Sequence, residues 1–121
     1  MNRKETGAFG EKLAAEYLEK HQYRVLDKNF RCREGEADII AHKDNMLVVV
    51  EVRTKRSIAF GTPEESLNER KKEHLRAVAR RYCELHQYNQ EEFRIDVIAI
   101  ELKSNGTVNR FEHIENAIED E

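Results

Sequence analysis

Asp38 and Glu51 are acidic residues that lie against apolar segments of the chain. Asp38 precedes Ile39-Ile40, and Glu51 follows the continuous apolar run 47–50 (LVVV). Side chains alternate between the two faces of a strand, so Glu51 shares a face with every second residue of that run. Carboxylate oxygens are the ligands that Mg²⁺ and Mn²⁺ prefer. These residue types indicate a divalent metal site wherever the fold brings both acids together.

The segment between the two acids predicts that they meet. Lys43-Asp44-Asn45 is polar and suits a tight turn between two strands. A two-residue turn at Asp44-Asn45 places Asp38 directly opposite Glu51, with Cβ atoms roughly 4.5–5.5 Å apart. Two such carboxylates repel each other, and relief comes from a proton on one or a cation bound to both. The alternative is that each acid pairs with a base.

That register makes a further prediction, which would support the alternative. It places Glu36 opposite Arg53 as an ion pair, whereas neither Asp38 nor Glu51 has an obvious basic partner of its own. A shift of one residue would turn the two acids to opposite faces of the sheet. The register therefore decides between a metal site and separate ion pairs.

Glu11 is a candidate third ligand. A helix over residues 4–20 places Glu11 on one stripe with Ala8, Ala15 and Leu18, which predicts that it points toward the core. Gly7 and Gly10 would allow another backbone to approach this stripe closely. The alternative is a glutamate that the positive end of the helix dipole favours.

Two basic residues follow Glu51 on the same predicted strand face. Arg53 and Lys55 could hold a scissile phosphate, orient the attacking water or stabilise developing charge. An arginine stays protonated and cannot act as a general base. Lys55 lies near the predicted strand end. The alternative is that both are surface cations in ion pairs.

The periodicity of the sequence predicts the elements that would position these residues. The predicted helices cover residues 4–20 and about 62–87, the second beginning at Thr62 or at Ser66. Its predicted apolar face carries Leu67, His74 or Leu75, Val78, Tyr82 and Leu85. The predicted strands cover residues 23–30, 36–42, 46–54, 93–102 and 107–114, with a hairpin turn at Asn105-Gly106. The order is α-β-β-β-α-β-β, an α/β domain.

Length and composition predict one domain over residues 1–121, with a frayed acidic tail at about 115–121. The chain has no apolar stretch long enough for a transmembrane helix and no signal-peptide pattern near its start. Cys32 and Cys83 lack metal-site spacing and are predicted to be reduced thiols, with Cys83 in the core. A cytoplasmic protein without membrane partners is expected.

The distribution of charge suggests a nucleic-acid partner although the net charge is −3. Residues 53–82 hold nine basic and four acidic side chains. A positive surface in this segment, including Arg56 and Arg70-Lys71-Lys72, could contact a phosphate backbone. The alternative is a solvated helix face with ordinary ion pairs. Asp96 is predicted to be the buried partner of an arginine, with a catalytic role as the alternative, and His113 is predicted to be a surface or satisfied core residue.

The ordered motifs resemble a known nuclease superfamily. They are Gly7-x-x-Gly10-Glu11, Asn29-Phe30-Arg31, Gly35-Glu36-Ala37-Asp38, Val50-Glu51-Val52-Arg53-Thr54-Lys55, Phe60-Gly61 and Asp96-Val97-Ile98. The set resembles the PD-(D/E)XK nucleases and, more closely, the bacterial YraN-like (UPF0102) endonuclease-related family, which is similar to archaeal Holliday-junction resolvases. Arg53 takes the place of the usual lysine, and Ala37 that of the usual proline.

The resemblance implies a restriction-endonuclease-like αβββαβ core with a central mixed β-sheet flanked by helices. It implies Mg²⁺- or Mn²⁺-dependent hydrolysis of DNA, with recombination or repair intermediates as substrates and, by analogy, a homodimer. Glu11, Asp38 and Glu51 would be metal ligands, with the carbonyl of Val52 a further one. A non-catalytic nucleic-acid-binding module that keeps the fold is the alternative, and Arg53 is its main support.

Overall fold

The computed structural model describes residues 1–88 and 92–119, and within them it contains two α-helices, one 3-10 turn and five strands. In chain order these are α1 (Arg3–Lys20), β1 (Arg24–Cys32), β2 (Gly35–Lys43), β3 (Met46–Lys55), the 3-10 turn (Glu64–Ser66), α2 (Glu69–Leu85), β4 (Phe93–Leu102) and β5 (Val108–Ile114). The predicted order of helices and strands is confirmed.

The strands form a single mixed sheet in the order β1-β2-β3-β4-β5. Neighbouring strands are antiparallel except β3 and β4, which are parallel because α2 carries the chain back across the sheet. One face packs on α1 through Ala14, Leu18, Val48, Val50 and Ile98. The other packs on α2 through Leu47, Val49, Leu75, Val78 and Ile95. The predicted α/β core with a mixed sheet flanked by helices is confirmed.

The turn between β2 and β3 sets the register of the two strands that carry the acids. Asp44 and Asn45 both have positive φ, 51° and 63°, as a two-residue hairpin turn requires. Lys43 pairs with Met46, and the ladder continues to Ile39 paired with Val50. The predicted register is therefore confirmed along this ladder, and the next position brings Asp38 beside Glu51.

The two strands part beyond that point. β2 stays paired with β1 as far as Gly35, and β3 stays paired with β4 as far as Lys55. We call the resulting gap between β2 and β3 the fork. The predicted ion pair between Glu36 and Arg53 is wrong, because these residues lie on separating strands and Glu36 instead lies 3.2 Å from Arg31.

The region before α2 differs from both predicted helix starts. Thr62 and Glu65 bond to each other around the 3-10 turn, with Thr62 N–H 2.8 Å from the Glu65 carboxylate. The α-helix begins later, where the Asn68 side chain accepts the Lys71 N–H at 2.8 Å and caps it. It ends at Leu85, and Leu85 is 53% exposed, so its predicted place on the apolar face is wrong.

The C-terminal segment is anchored by one apolar side chain. Ile118 is buried in the α2-side core, and its N–H donates to Ile95 O. The Arg76 guanidinium donates to Glu119 O at 2.6 Å. The expectation of a frayed tail is therefore wrong for residues 115–119, while residues 120–121 lie outside the described part of the chain.

A buried polar cluster lies on β4 and β5. The Asp96 carboxylate accepts hydrogen bonds from Arg94 at 2.9 and 3.0 Å, from His113 at 2.7 Å and from Asn116 N–H at 2.9 Å. His113 also shares a hydrogen bond with Tyr17. These partners confirm the predictions that Asp96 pairs with an arginine and that His113 is satisfied. Both cysteines are free thiols, and Cys83 is in the core as predicted.

Close packing of α1 on β3 depends on Gly10. A Cβ atom added at Gly10 would lie 1.8 Å from Thr54 Oγ1 and 2.9 Å from Thr54 Cβ. A Cβ added at Gly7 would meet nothing within 4 Å. The predicted close approach is thus confirmed at Gly10 and wrong at Gly7.

This difference gives a matched pair of substitutions. Gly10→Ala is expected to lower the free energy of unfolding by about 1–3 kcal/mol, because it overpacks the contact with Thr54. Gly7→Ala is expected to raise it by about 0.5–1 kcal/mol, since alanine favours an open helix position more than glycine does. Urea denaturation of both variants measures the effects, and two changes of the same sign would contradict this packing.

Neither helix of the described chain is long and apolar enough to cross a membrane.

Candidate metal centre

Asp38 and Glu51 meet at the fork. The β2–β3 ladder ends one position before them, so on the side that faces β2 the backbone of Val52 can bond with a side chain instead of a strand. The Val52 N–H donates to Asp38 Oδ2 at 2.8 Å. This bond fixes the Asp38 carboxylate beside the start of the β3 segment that carries Glu51.

Glu51 is a buried acid with an incomplete set of partners. It is 3% exposed, and its Oε2 lies 3.0 Å from Arg53 Nε and 3.9 Å from Lys71 Nζ of α2. The Arg53 contact is close in distance, yet its angle does not make a hydrogen bond, and Glu51 Oε1 has no hydrogen-bond partner. A buried carboxylate oxygen without a partner is costly, which makes this position a candidate for a further ligand.

Protonation relieves this arrangement in the metal-free protein. Burial and, after it, the nearby Asp38 carboxylate raise the pKa of Glu51, and although Lys71 and Arg53 oppose the rise, the pKa reaches about 8. Two ionised carboxylates cannot hydrogen-bond to each other. A proton on Glu51 lets its carboxyl group share a hydrogen bond with Asp38. The raised pKa of Glu51 is consistent with the first of the two predicted outcomes, a proton on one of the facing acids.

The raised pKa of Glu51 makes metal-free stability depend on pH. The folded state holds the Glu51 proton up to about pH 8, while an unfolded glutamate loses it near its ordinary pKa. The free energy of unfolding is therefore expected to fall as pH rises through this interval, on the order of a few kcal/mol. Glu51→Gln should remove most of this slope. Urea denaturation in EDTA at pH 5.5 and 8.5 measures it, and equal slopes in parent and variant would contradict the assignment.

Glu11 approaches Asp38 from the α1 side of the sheet. Both line a cavity of about 220 Å³ together with Asn29 of β1 and the basic residues Lys12 and Lys28. Burial and the nearby Asp38 charge raise the pKa of Glu11, while a hydrogen bond from Asn29 lowers it. Glu11 is half-buried rather than directed into the core. Asp38 thus has an acidic neighbour on each side.

Asn29 contributes to the site and was not identified as a functional candidate from the sequence. It has positive φ, 52°, which is a conformation that asparagine tolerates better than most residues. Lys28 pairs with Ile39 and Phe30 pairs with Ala37, so Asn29 lies across from Asp38 on the neighbouring strand. The signal in the sequence that could have identified Asn29 is an asparagine within a segment predicted to be a strand.

The donors at the fork fit a hard divalent cation. Asp38 and Glu51 supply carboxylate oxygens, and Glu51 Oε1 is the unpaired atom. Within residues 1–88 and 92–119, no three Asp, Glu, His or Cys side chains already form a closed ligand set. The two fork acids therefore are the core of the candidate site, and Glu11 stays a prediction as the third ligand, as does the Val52 carbonyl as a further one.

The predicted cationic residues at the end of β3 and just after it lie in different places. Arg53 contacts Glu51, as described above, whereas Lys55 donates to Gly61 O at 3.3 Å. Arg56 donates to Met1 O at 3.0 Å and to Ser104 O at 2.9 Å. Of these three residues, Arg53 is the one that the structure brings to the two acids.

Two of the three predicted basic residues of α2 lie away from the fork acids. Lys71 reaches Glu51, Lys72 pairs with Glu69 at 3.3 Å, and Arg70 is exposed. Lys71 also lines a cavity of about 370 Å³ whose other lining residues are Arg31, Cys32, Gly35, Glu36 and His74. The sequence did not predict the basic charge of Arg31 at this cavity. Arg31 belongs to β1, and its place at the cavity depends on the separation of β2 and β3.

Comparisons with known proteins agree on one family. The model of the uncharacterised protein family UPF0102 matches residues 10–100. A UPF0102 protein of Dehalococcoides mccartyi is 46% identical over 120 residues, which cover 99% of this chain and 98% of that protein. A UPF0102 protein of Caldicellulosiruptor bescii is 42% identical over 97% of this chain and 99% of its own length.

One solved structure is also similar. It is SfsA of Pyrococcus furiosus in complex with Ca²⁺, with a TM-score of 0.43 and 14% identity. The match covers 89% of this chain and 61% of that chain, so this chain spans less than two thirds of the SfsA length.

Proposed function

Since this chain belongs to the UPF0102 family, we propose for it a function that its fork residues support: a metal-dependent endonuclease that hydrolyses phosphodiester bonds in DNA. The observation that carries the proposal is the buried Glu51 carboxyl beside Asp38, with one oxygen that has no partner. Such an arrangement costs stability in the free protein. Enzymes accept this cost at functional sites, where perturbed acids cluster.

The residues at the fork would have different roles. Asp38 and Glu51 would hold Mg²⁺ or Mn²⁺, with Glu11 reaching the same cation from the α1 side. The bound ion would activate a water for attack at phosphorus and neutralise charge on the phosphate. The Val52 N–H holds Asp38 in place, and Lys71 keeps a positive charge near Glu51.

Basic side chains on both sides of the fork support DNA as the substrate. Arg31 and Lys71 line the cavity on the α2 side, and Lys12 and Lys28 line the cavity that holds Asp38. Phosphate groups passing between them would meet positive charge on either side of the two acids. The motifs resemble the YraN-like family, which is similar to Holliday-junction resolvases. By analogy, this similarity supports branched or repair intermediates as substrates and a homodimer as the active form.

A cleavage assay tests the proposal. The parent protein and Asp38→Asn are incubated with branched, single-stranded and duplex DNA in Mg²⁺ or Mn²⁺. We expect cleavage by the parent and a loss on the order of 1,000-fold in the variant. Absence of cleavage of every substrate by the parent, with either metal, would reject the enzymatic function.

Arg53 favours a second candidate, a nucleic-acid-binding module without turnover. It replaces the lysine expected from the resemblance, and it lies 3.0 Å from Glu51 rather than free to hold a phosphate. Arg53→Lys distinguishes the two candidates. Binding of DNA without cleavage by both parent and variant would favour the module, and cleavage by the parent would exclude it.

A further inference from the structure

The loop between β3 and the 3-10 turn displays an aromatic ring to solvent. Phe60 is 97% exposed, and Ile58 in the same loop is 53% exposed. An isolated exposed apolar residue is ordinary, but a fully exposed phenylalanine ring beside a second exposed apolar side chain favours a binding role.

The loop that carries Phe60 is held in place by its own hydrogen bonds. Gly61 adopts φ 109° and donates its N–H to Ile58 O at 3.1 Å. Lys55 donates to Gly61 O, and Arg56 bridges the loop base to Met1 O and Ser104 O. The ring is therefore presented by a fixed turn rather than by an untethered segment.

Basic side chains line the cavity beside Phe60, and the Glu65 carboxylate lies outside this lining, at the Thr62 N–H. The ring lines a cavity of about 520 Å³ with Arg3, Lys55 and Arg56. Of the described residues that line this cavity, none is acidic. An aromatic face next to clustered cations is the combination that binds single-stranded nucleic acid, where bases stack on rings and phosphates meet basic side chains.

This cavity adjoins the candidate metal centre. Thr6 and Gly7 of α1 line it, and the following residues of the same helix, Ala8 and Glu11, line the cavity of Asp38. Along β3, Lys55 is four residues beyond Glu51, roughly 13 Å at the rise of a strand. One strand of nucleic acid can thus reach both places.

We propose that Phe60 is a base-stacking residue: it stacks on an unpaired nucleobase of a DNA strand whose phosphates lie against Arg3, Lys55 and Arg56. The inference rests on the proposed function for the nature of the partner, and it adds that the substrate has an unstacked base near the cleavage site. A second copy of this chain fits the surface less well, because it would bring the same three cations against each other.

The absence of tryptophan from the chain allows a direct test. Phe60→Trp introduces a single indole fluorophore, and a single-stranded thymidine oligonucleotide is titrated into this variant in EDTA, where no hydrolysis occurs. Stacking is expected to quench the emission. The same length of abasic oligonucleotide should leave emission unchanged, and Leu85→Trp, at an exposed position on α2, should show no quenching with either ligand.

Affinity supplies the second readout. Phe60→Ala is expected to bind the thymidine oligonucleotide about 5- to 150-fold more weakly than the parent. Leu85→Ala, the matched loss of an exposed apolar side chain on α2, should change affinity by less than about 2-fold. Fluorescence anisotropy of a labelled oligonucleotide measures each variant.

The outcomes separate this proposal from the proposed function. Equal binding by parent and Phe60→Ala, with unquenched Phe60→Trp emission, would overturn the stacking role while DNA binding stands. No oligonucleotide binding by the parent would overturn the stacking proposal, whereas the cleavage assay with metal decides the proposed function. Dissociation of a parent dimer by Phe60→Ala, with unchanged DNA affinity, would assign the ring to a contact between chains and would also overturn the proposal.

Discussion

Glu51→Gln and Asp38→Asn are each expected to lower the affinity for Mn²⁺ by more than about 100-fold while leaving the fold intact. Loss of groups that merely orient metal ligands costs 10- to 100-fold, and loss of a charged ligand itself should cost more. The amide side chains keep the shape of the acids but remove the charge. The signal of free Mn²⁺ in electron paramagnetic resonance measures binding in both variants.

The fold should survive these substitutions because Glu51 is held protonated in the metal-free protein. With its pKa raised to about 8, its neutral form predominates at pH 7, and glutamine imitates that form. Metal-free Glu51→Gln is therefore expected to be at least as stable as the parent above pH 7. This expectation separates a metal ligand from a carboxylate that the fold itself requires.

Glu36→Gln is the control for these variants. Glu36 lies on the same strand as Asp38, but it is exposed and pairs with Arg31. Its substitution should change Mn²⁺ affinity by less than about 2-fold, as expected of a surface ion pair. Equal losses in Glu36→Gln and Glu51→Gln would show a general effect of net charge and would contradict a site at the fork.

Asp96→Ala is expected to lower the free energy of unfolding by about 3–5 kcal/mol, the largest stability effect of any substitution considered. Asp96 is 0% exposed, and its removal would leave the Arg94 guanidinium, His113 and the Asn116 N–H without their shared acceptor. Removing one member of a buried charged pair leaves the other member buried without a partner. Denaturation by urea measures the loss.

Glu112→Ala is the comparison for Asp96. Glu112 lies next to His113 on β5, pairs with Arg110 and is largely exposed. Its loss should cost no more than about 0.5 kcal/mol. If Asp96→Ala cost as little as Glu112→Ala, the buried cluster would not contribute to stability as its hydrogen bonds indicate.

The register of β2 and β3 could be predicted because local chemistry determines it. Asp44 and Asn45 tolerate the positive φ of a two-residue turn, and the apolar run of β3 must face the core on both sides. These two constraints bring Asp38 and Glu51 to adjacent positions. The same logic predicted the hairpin at Asn105-Gly106, where Gly106 has φ 87° and donates to Lys103 O.

The point at which the ladder ends could not be predicted. Extending the register two residues past Asp38 and Glu51 predicted an ion pair between Glu36 and Arg53. Nothing local to β2 or β3 signals that the two strands separate there. Each strand keeps its other neighbour beyond Ile39 and Val50, and that preference depends on the whole sheet. Arg53 consequently turns to Glu51, a partner that sequence alone did not assign.

The burial of residues near the C-terminus and at the end of α2 also could not be predicted from the sequence. The acidic composition of residues 115–119 suggests a solvated tail, yet Ile118 fits the core beside β4. Leu85 shows the reverse, since a helical stripe predicts burial, whereas Leu85 is the last residue of α2 and is 53% exposed. Both errors come from tertiary packing that overrides local periodicity.

Proton release on metal binding tests the central claim, that Asp38 and Glu51 hold a divalent cation, most directly. Mn²⁺ is titrated calorimetrically into the parent and Glu51→Gln at pH 7, in two buffers of different ionisation enthalpy. Because the pKa of Glu51 is raised to about 8 and a ligand must be deprotonated, the parent should release about one proton per Mn²⁺ bound. Glu51→Gln should show neither the tight binding nor the proton. Absence of Mn²⁺ binding by the parent, or equal affinity without proton release in both proteins, would contradict the site.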